Sequence, residues 1–155
     1  MPAFTPPTAY ASKGTTGYGA TFSMGSPLTA VMEIKTINGD YYSLPEVNFT
    51  HLLSPAGTEE LRAGLLKPGT IELGGNFIGE ATQLAITTMA VANATQTTPT
   101  FAWAITAAIQ NGTKTYTCTG VGYIAKYKNG PFENGKPVEF SFGLQITGII
   151  SEAVA

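Results

Sequence analysis

Charge is what this sequence has least of. Only 12% of its 155 residues are Asp, Glu, Lys or Arg, against about 25% in a typical soluble domain. The net charge is −2 and the pI about 5.3, with no basic tract of the kind that grips nucleic acid or an anionic membrane. A single cysteine, Cys118, excludes an intrachain disulfide and a thiolate metal cluster, and in a strand it reads as a small core residue. The one histidine, His51, cannot make a His-based metal site, and the one aspartate, Asp40, sits beside a turn signal. Glu59 and Glu60 are adjacent, so on a helix they would diverge by about 100°. No Gly-x-Ser-x-Gly elbow, His-Glu-x-x-His helix or EF-hand loop is present. Gly14-Thr-Thr-Gly-Tyr-Gly19 lacks the Gly-Lys-Ser/Thr ending of a phosphate loop. The expectation is a protein with no catalytic, cofactor or metal site, and not an enzyme. No apolar run reaches ~18 residues, so no spanning helix and no membrane partner are expected. Met1-Pro-Ala-Phe-Thr-Pro-Pro has neither a basic nor an apolar segment, so no secretory signal is expected either.

What fills the sequence is Thr, Ser, Gly and Ala on a 43% hydrophobic background. That content is enough for one packed domain. Residues 1–12 hold three prolines and read as an N-terminal arm, with a single domain over residues 13–155. A surface with so few charges suits burial against copies of the same chain.

The strongest element is Val138 to Ile146. Val138, Phe140, Phe142, Leu144 and Ile146 alternate with Glu139, Ser141, Gly143 and Gln145, giving a strand with one apolar face. Phe101, Trp103 and Ile105 alternate likewise, and Asn111-Gly112 joins that strand to Lys114–Lys128 as a hairpin. Shorter strands are expected at Thr29–Ile37, Glu46–Thr50 and Thr70–Ile78, the last bulged or bent at Gly74-Gly75. Asn38-Gly39 signals a tight turn, followed by an exposed aromatic loop at Tyr41-Tyr42. Pro68-Gly69 signals a second turn, and Thr58–Arg62 a helical turn. Glu80–Asn93 is the one good helix, with Ala81, Leu84, Ala85, Thr88, Met89 and Ala92 on one face and Ile86 and Val91 off it. The fold class is therefore mainly β, an antiparallel sandwich or barrel with one flanking helix.

The order of these elements resembles the major tail tube proteins of long-tailed bacteriophages over roughly residues 31–150. The residues that carry the likeness are Gly122-Tyr123-Ile124, the loop Asn129–Pro137 and the strand Val138–Gly148. Further upstream they are Val47–Thr50, Gly64-Leu65, Gly69, Ile71–Leu73 and Asn76-Phe77. Lys67 departs from the pattern, since an acidic residue is frequent there. The resemblance implies a virion protein whose hexameric rings stack into a tube. That tube would surround a tape-measure protein, meet tail-tip and terminator proteins, and conduct DNA without holding it. It implies inter-ring contacts from the hairpin loop, here Asn38, Gly39, Asp40, Tyr41 and Tyr42, and from the N-terminal arm. The polar strand face Glu139, Ser141, Gln145 and Thr147 is the expected lumen lining. Assembly would take place in the host cytoplasm. Other readings are a tail terminator, a contractile-tail inner tube or a secretion-system tube protein. A capsid decoration protein and a monomeric lipocalin-type barrel are also open.

Overall fold

A computed structural model describes residues 19–54 and 58–155. The arm expected at residues 1–12 lies outside the described residues. The strands are β1 (Thr21–Met24), β2 (Thr29–Ala30), β3 (Ile34–Ser43), β4 (Glu46–Asn48), β5 (Leu61–Ala63), β6 (Lys67–Asn76), β7 (Phe101–Ile109), β8 (Lys114–Asn129) and β9 (Glu139–Val154), with one helix, α1 (Ala81–Ala94), between β6 and β7. Seven strands form one antiparallel sheet in the order β2-β1-β7-β8-β9-β6-β3, while β4 and β5 form a separate pair.

The sheet is built on the β8–β9 ribbon, each strand 16 residues long. β7 pairs with the first half of β8, up to Gly122, and β6 pairs with the first half of β9, up to Gln145. The two halves of the sheet are therefore staggered along a shared ribbon. Register shifts in β8 at Thr119/Val121 and Ile124/Lys126 coil that ribbon. The curl brings β1 up to β3, so one sheet wraps its own core as two layers would.

Strict alternation in β9 defines the covered face. Phe140, Phe142, Leu144 and Ile146 are each 2% exposed or less. They meet Trp103 of β7, Ile71 and Leu73 of β6, Cys118 of β8 and Phe22 of β1. Phe22 stands edge-on to Phe142 with ring centroids 5.7 Å apart. A side chain at Gly120 would come within 2.7 Å of the Trp103 ring, so the glycine opposite Trp103 makes room for the indole.

Helix α1 falls within one residue of its predicted ends but is rotated from the predicted face. Leu84 of the predicted face is more than half exposed, whereas Ile86, expected off that face, is buried together with Gln83 and Asn93; Val91 is exposed as expected. The cause is polar. The Ile78 and Gly79 N–H groups donate to Gln83 Oε1 at 2.9 and 3.1 Å. Gln83 Nε2 donates to the Met32 carbonyl at 3.1 Å and to the Asn76 carbonyl at 2.8 Å. At the other end the Ile124 N–H donates to Asn93 Oδ1 at 3.0 Å, and Asn93 Nδ2 donates to the Thr98 carbonyl at 2.6 Å. Leaving these groups unpaired under the helix would cost more than exposing Leu84.

Three predicted breaks are not breaks. Asn38 and Gly39 lie inside β3, opposite Glu72 and Ile71, and neither has a positive φ. Gly39 is there because a side chain would come within 2.6 Å of the Tyr41 ring. Pro68 and Gly69 lie inside β6, where a Gly69 side chain would overlap the Asp40 carbonyl. Thr58–Arg62 forms no helical turn, because Leu61–Ala63 pairs with β4 as β5. The strand expected at Thr29–Ile37 splits into β2 and the start of β3. The irregularity expected at Gly74-Gly75 sits in the partner strand, between Ile34 and Thr36. The Asn111-Gly112 turn stands as predicted, with positive φ from Gln110 through Gly112.

Replacing Gln83 with Leu strips partners from two N–H donors and two carbonyls at one site. A loss of about 3 kcal/mol or more in unfolding free energy is expected, read from the denaturant midpoint at constant m. A loss under about 1 kcal/mol would show that water takes over the amide's role.

Candidate functional site

Three surfaces have the geometry of contact sites. The first is the arm between β3 and β6. The chain leaves the sheet after Ser43 and rejoins it at Lys67, carrying β4 and β5 between. Leu44, Val47, Phe49, Leu61 and Leu65 are exposed along it, and Leu52 and Leu53 at its tip are 103% and 89% exposed. The arm is nonetheless built. Arg62 lies over the Phe49 ring, 5.4 Å from its centroid. At the tip the His51 N–H donates to Ser54 Oγ at 2.9 Å, and the Leu53 N–H donates to His51 Nδ1 at 3.1 Å. Nε2 of His51 faces Glu60 at 3.6 Å. A shaped arm with its leucines in water is a surface made to be covered.

The second surface is the pair of free sheet edges. β3 is the outermost strand on one side and β2 on the other, and an open groove of about 860 Å³ runs beside Ile34–Asn38 to Gly19 and Ala20. On the opposite side, β8 beyond Gly122 has no strand partner toward β7. One edge on each flank is what head-to-tail joining of copies requires.

The third is the uncovered face of the sheet. Glu139 and Ser141 point to solvent there, alternating with the buried side chains of β9. Gln145 is half-buried and donates to the Gly69 carbonyl at 3.0 Å. Thr147 is half-buried, donates to the Val121 carbonyl at 3.2 Å, and borders a groove of about 460 Å³ that reaches Asn93 at the end of α1. Glu139, Ser141, Gln145 and Thr147 thus share one side of β9, with Thr147 also bordering the end of α1 across that groove. Of the expected contact residues, Asn38 to Tyr42 form no loop and belong to the β3 edge. Tyr42 is exposed, but Tyr41 packs on the core. The arm that carries the exposed leucines lies just beyond them. The signal missed in the sequence was the density of Leu from Leu44 to Leu66 without any helical or alternating period.

The covered face ends in a polar cluster. Tyr116 donates to Glu152 Oε1 at 2.5 Å, beside Tyr41 and Cys118. Burial, then the hydrogen bond to Glu152, pushes the Tyr116 hydroxyl pKa far up. Burial also raises Tyr41 and Cys118. Among the described residues no group of His, Cys, Asp and Glu is placed to hold a metal, and no helix is long and apolar enough to cross a membrane.

This architecture is the tail-tube fold, shared with tube and tube-terminator proteins of phage-like particles. A chain of the anti-feeding prophage cap, which terminates that particle's tube, superposes with a TM-score of 0.73 at 12% identity over 99% of both chains. A chain of the native gene transfer agent virion gives 0.67 at 12% identity, over 90% of this chain and 98% of its own. The SPP1 tail tube gives 0.52 at 16% identity, over 90% of this chain and 77% of that one. No protein-family model and no curated protein sequence matches.

The tyrosine cluster predicts an alkaline limit. The folded state keeps protons that the unfolded chain releases near pH 9 for Cys118 and pH 10 for the tyrosines. Stability is therefore whole below pH 9 and falls as pH rises above it. The urea midpoint should drop less between pH 9 and 11 in Tyr116→Phe than in the parent. Equal slopes would assign the alkaline loss elsewhere.

Proposed function

We propose that this chain is a structural protein of a phage-type tail, not an enzyme, whose copies join edge to edge in hexameric rings that stack into a tube. The observation that carries the reading is the leucine-lined arm projecting from a tail-tube fold. β3 of one copy pairs with residues 126–129 of β8 in the next, beyond the Ile124 N–H that Asn93 occupies, extending the sheet around the ring. The arm, with Tyr42 and Asp40 at its base, reaches the neighbouring ring. The uncovered face with Glu139, Ser141, Gln145 and Thr147 then lines the lumen. A tape-measure protein occupies that lumen during assembly in the host cytoplasm, tail-tip and terminator proteins close the ends, and DNA passes through the finished virion tube on ejection. The covered face is occupied by Phe22, Trp103, Phe142 and Ile86, in the volume where a lipocalin-type barrel would keep its ligand.

A second reading, a single ring that ends a tube, is favoured by the match to the anti-feeding prophage cap over the full length of both chains.

Electron microscopy of the concentrated protein separates the two. Hollow tubes support the tube subunit, isolated rings the terminator, and a monomer that a tail-tip complex cannot nucleate overturns both. Leu52→Ser with Leu53→Ser should leave the fold and the rings intact while cutting tube length several-fold. Tubes of normal length from that variant would remove the arm tip from the stacking contact.

A further inference from the structure

The uncovered face is crossed by rows of residues set opposite each other in the ladder. One row is Lys126 of β8, Gly143 of β9, Glu72 of β6 and Asn38 of β3. Lys126 and Glu72 are two strands apart, about 10 Å between backbones, yet Lys126 Nζ meets Glu72 Oε1 at 3.0 Å. The pair closes because the residue between them has no side chain. A Cβ on Gly143 would come within 3.0 Å of Lys126 Cγ and Cε and 3.4 Å of Glu72 Oε1. The lysine therefore lies flat across a glycine instead of standing up from the sheet. A second carboxylate, Glu139, meets Lys35 Nζ at 3.4 Å. Glu139, Lys35 and Lys128 also line one cleft of about 330 Å³. Asp40 stands on the same face, two residues from Asn38 along β3.

We propose that Glu72 and Glu139 make this face less adhesive toward a polyanion, by holding Lys126 and Lys35 in ion pairs laid along the sheet and leaving Lys128 as the cation of that cleft outside such a pair. The inference rests on the reading of this face as the lumen, and the polyanion is a nucleic acid recognised through its phosphates. An exposed ion pair adds little stability, so its value here is as a neutralising device. A free ammonium on a phosphate releases a counterion, and each such contact steepens the salt dependence of binding by about 0.9. Repeated around a ring and along a stack, free lysines would hold the strand at every step. Lysines already paired with a carboxylate offer phosphate no net gain.

The test is binding of a fluorescein-labelled 20-base-pair duplex to the soluble protein by anisotropy, at 50 to 200 mM salt. The parent should bind weakly. E72Q/E139Q should bind about tenfold tighter or more at low salt, with a slope of log K against log salt steeper by about two. E46Q/E59Q changes net charge equally but on the arm, and should stay near the parent. K126Q added to E72Q should remove the gain due to Glu72. Equal tightening in E46Q/E59Q and E72Q/E139Q would overturn the proposal, as would a parent that already binds as tightly as E72Q/E139Q. Circular dichroism and the thermal midpoint confirm that each variant is folded, and E72Q alone serves if the double variant is not. Whether the parent forms tubes is read separately by electron microscopy. A monomer that a tail-tip complex cannot nucleate sinks the conduit reading, whereas an unaltered salt slope in E72Q/E139Q sinks only the role of the two glutamates.

Discussion

The structure hangs on two buried amides. Gln83 ties the start of α1 to the end of β6 and to the link between β2 and β3, through four hydrogen bonds. Asn93 ties its end to β8 and to the loop before β7. Without them the helix would have little reason to lie where it does, because its apolar residues are spread round its circumference. A buried amide is costly unless every arm is satisfied, and satisfied it admits only one position. The helix is thus positioned by directional bonds, and Ile86 fills the space those bonds define. Leu84 and Val91 are left outside as the result.

The strands that alternate were legible in the sequence. Phe140 to Ile146, Phe101 to Ile105 and the Asn111-Gly112 hairpin all carry a local pattern that coincides with their tertiary role. The helix was legible in extent but not in orientation, since hydrophobic spacing cannot report where two amides will find partners. Asn38-Gly39 and Pro68-Gly69 misled for a different reason. Their glycines answer to close approaches between β3, β6 and the Tyr41 ring, which are long-range facts. Of the candidate surfaces, the polar face of β9 could be read from alternation. The Lys126–Glu72 pair could not, because its members are 54 residues apart and meet only through the register of three strands. The arm was hidden because exposed leucines look like core until a fold declines to bury them.

Low charge takes a physical meaning from this arrangement. The sheet has one face filled by its own side chains, one polar face on which Lys35 and Lys126 are matched to carboxylates, and two open edges. The apolar surface left over is concentrated on the arm. In the proposed assembly little of the molecule would stay in water, which 12% charged residues would suit.

The staggered ribbon also sets a clock. β6 is held in the sheet by β9, and β3 only by β6. Among the described strands β9 is synthesised last. Until it docks, the edge that would receive a neighbouring copy has no framework to stand on. β7, β8 and β9 follow one another as a meander of local pairings, which close quickly, whereas β1 must wait for β7 some eighty positions along the chain. On the proposed edge-to-edge joining, nascent chains on one message would be kept from zipping together through half-made edges, since the sheet that carries the β3 edge is complete only once β9 has docked.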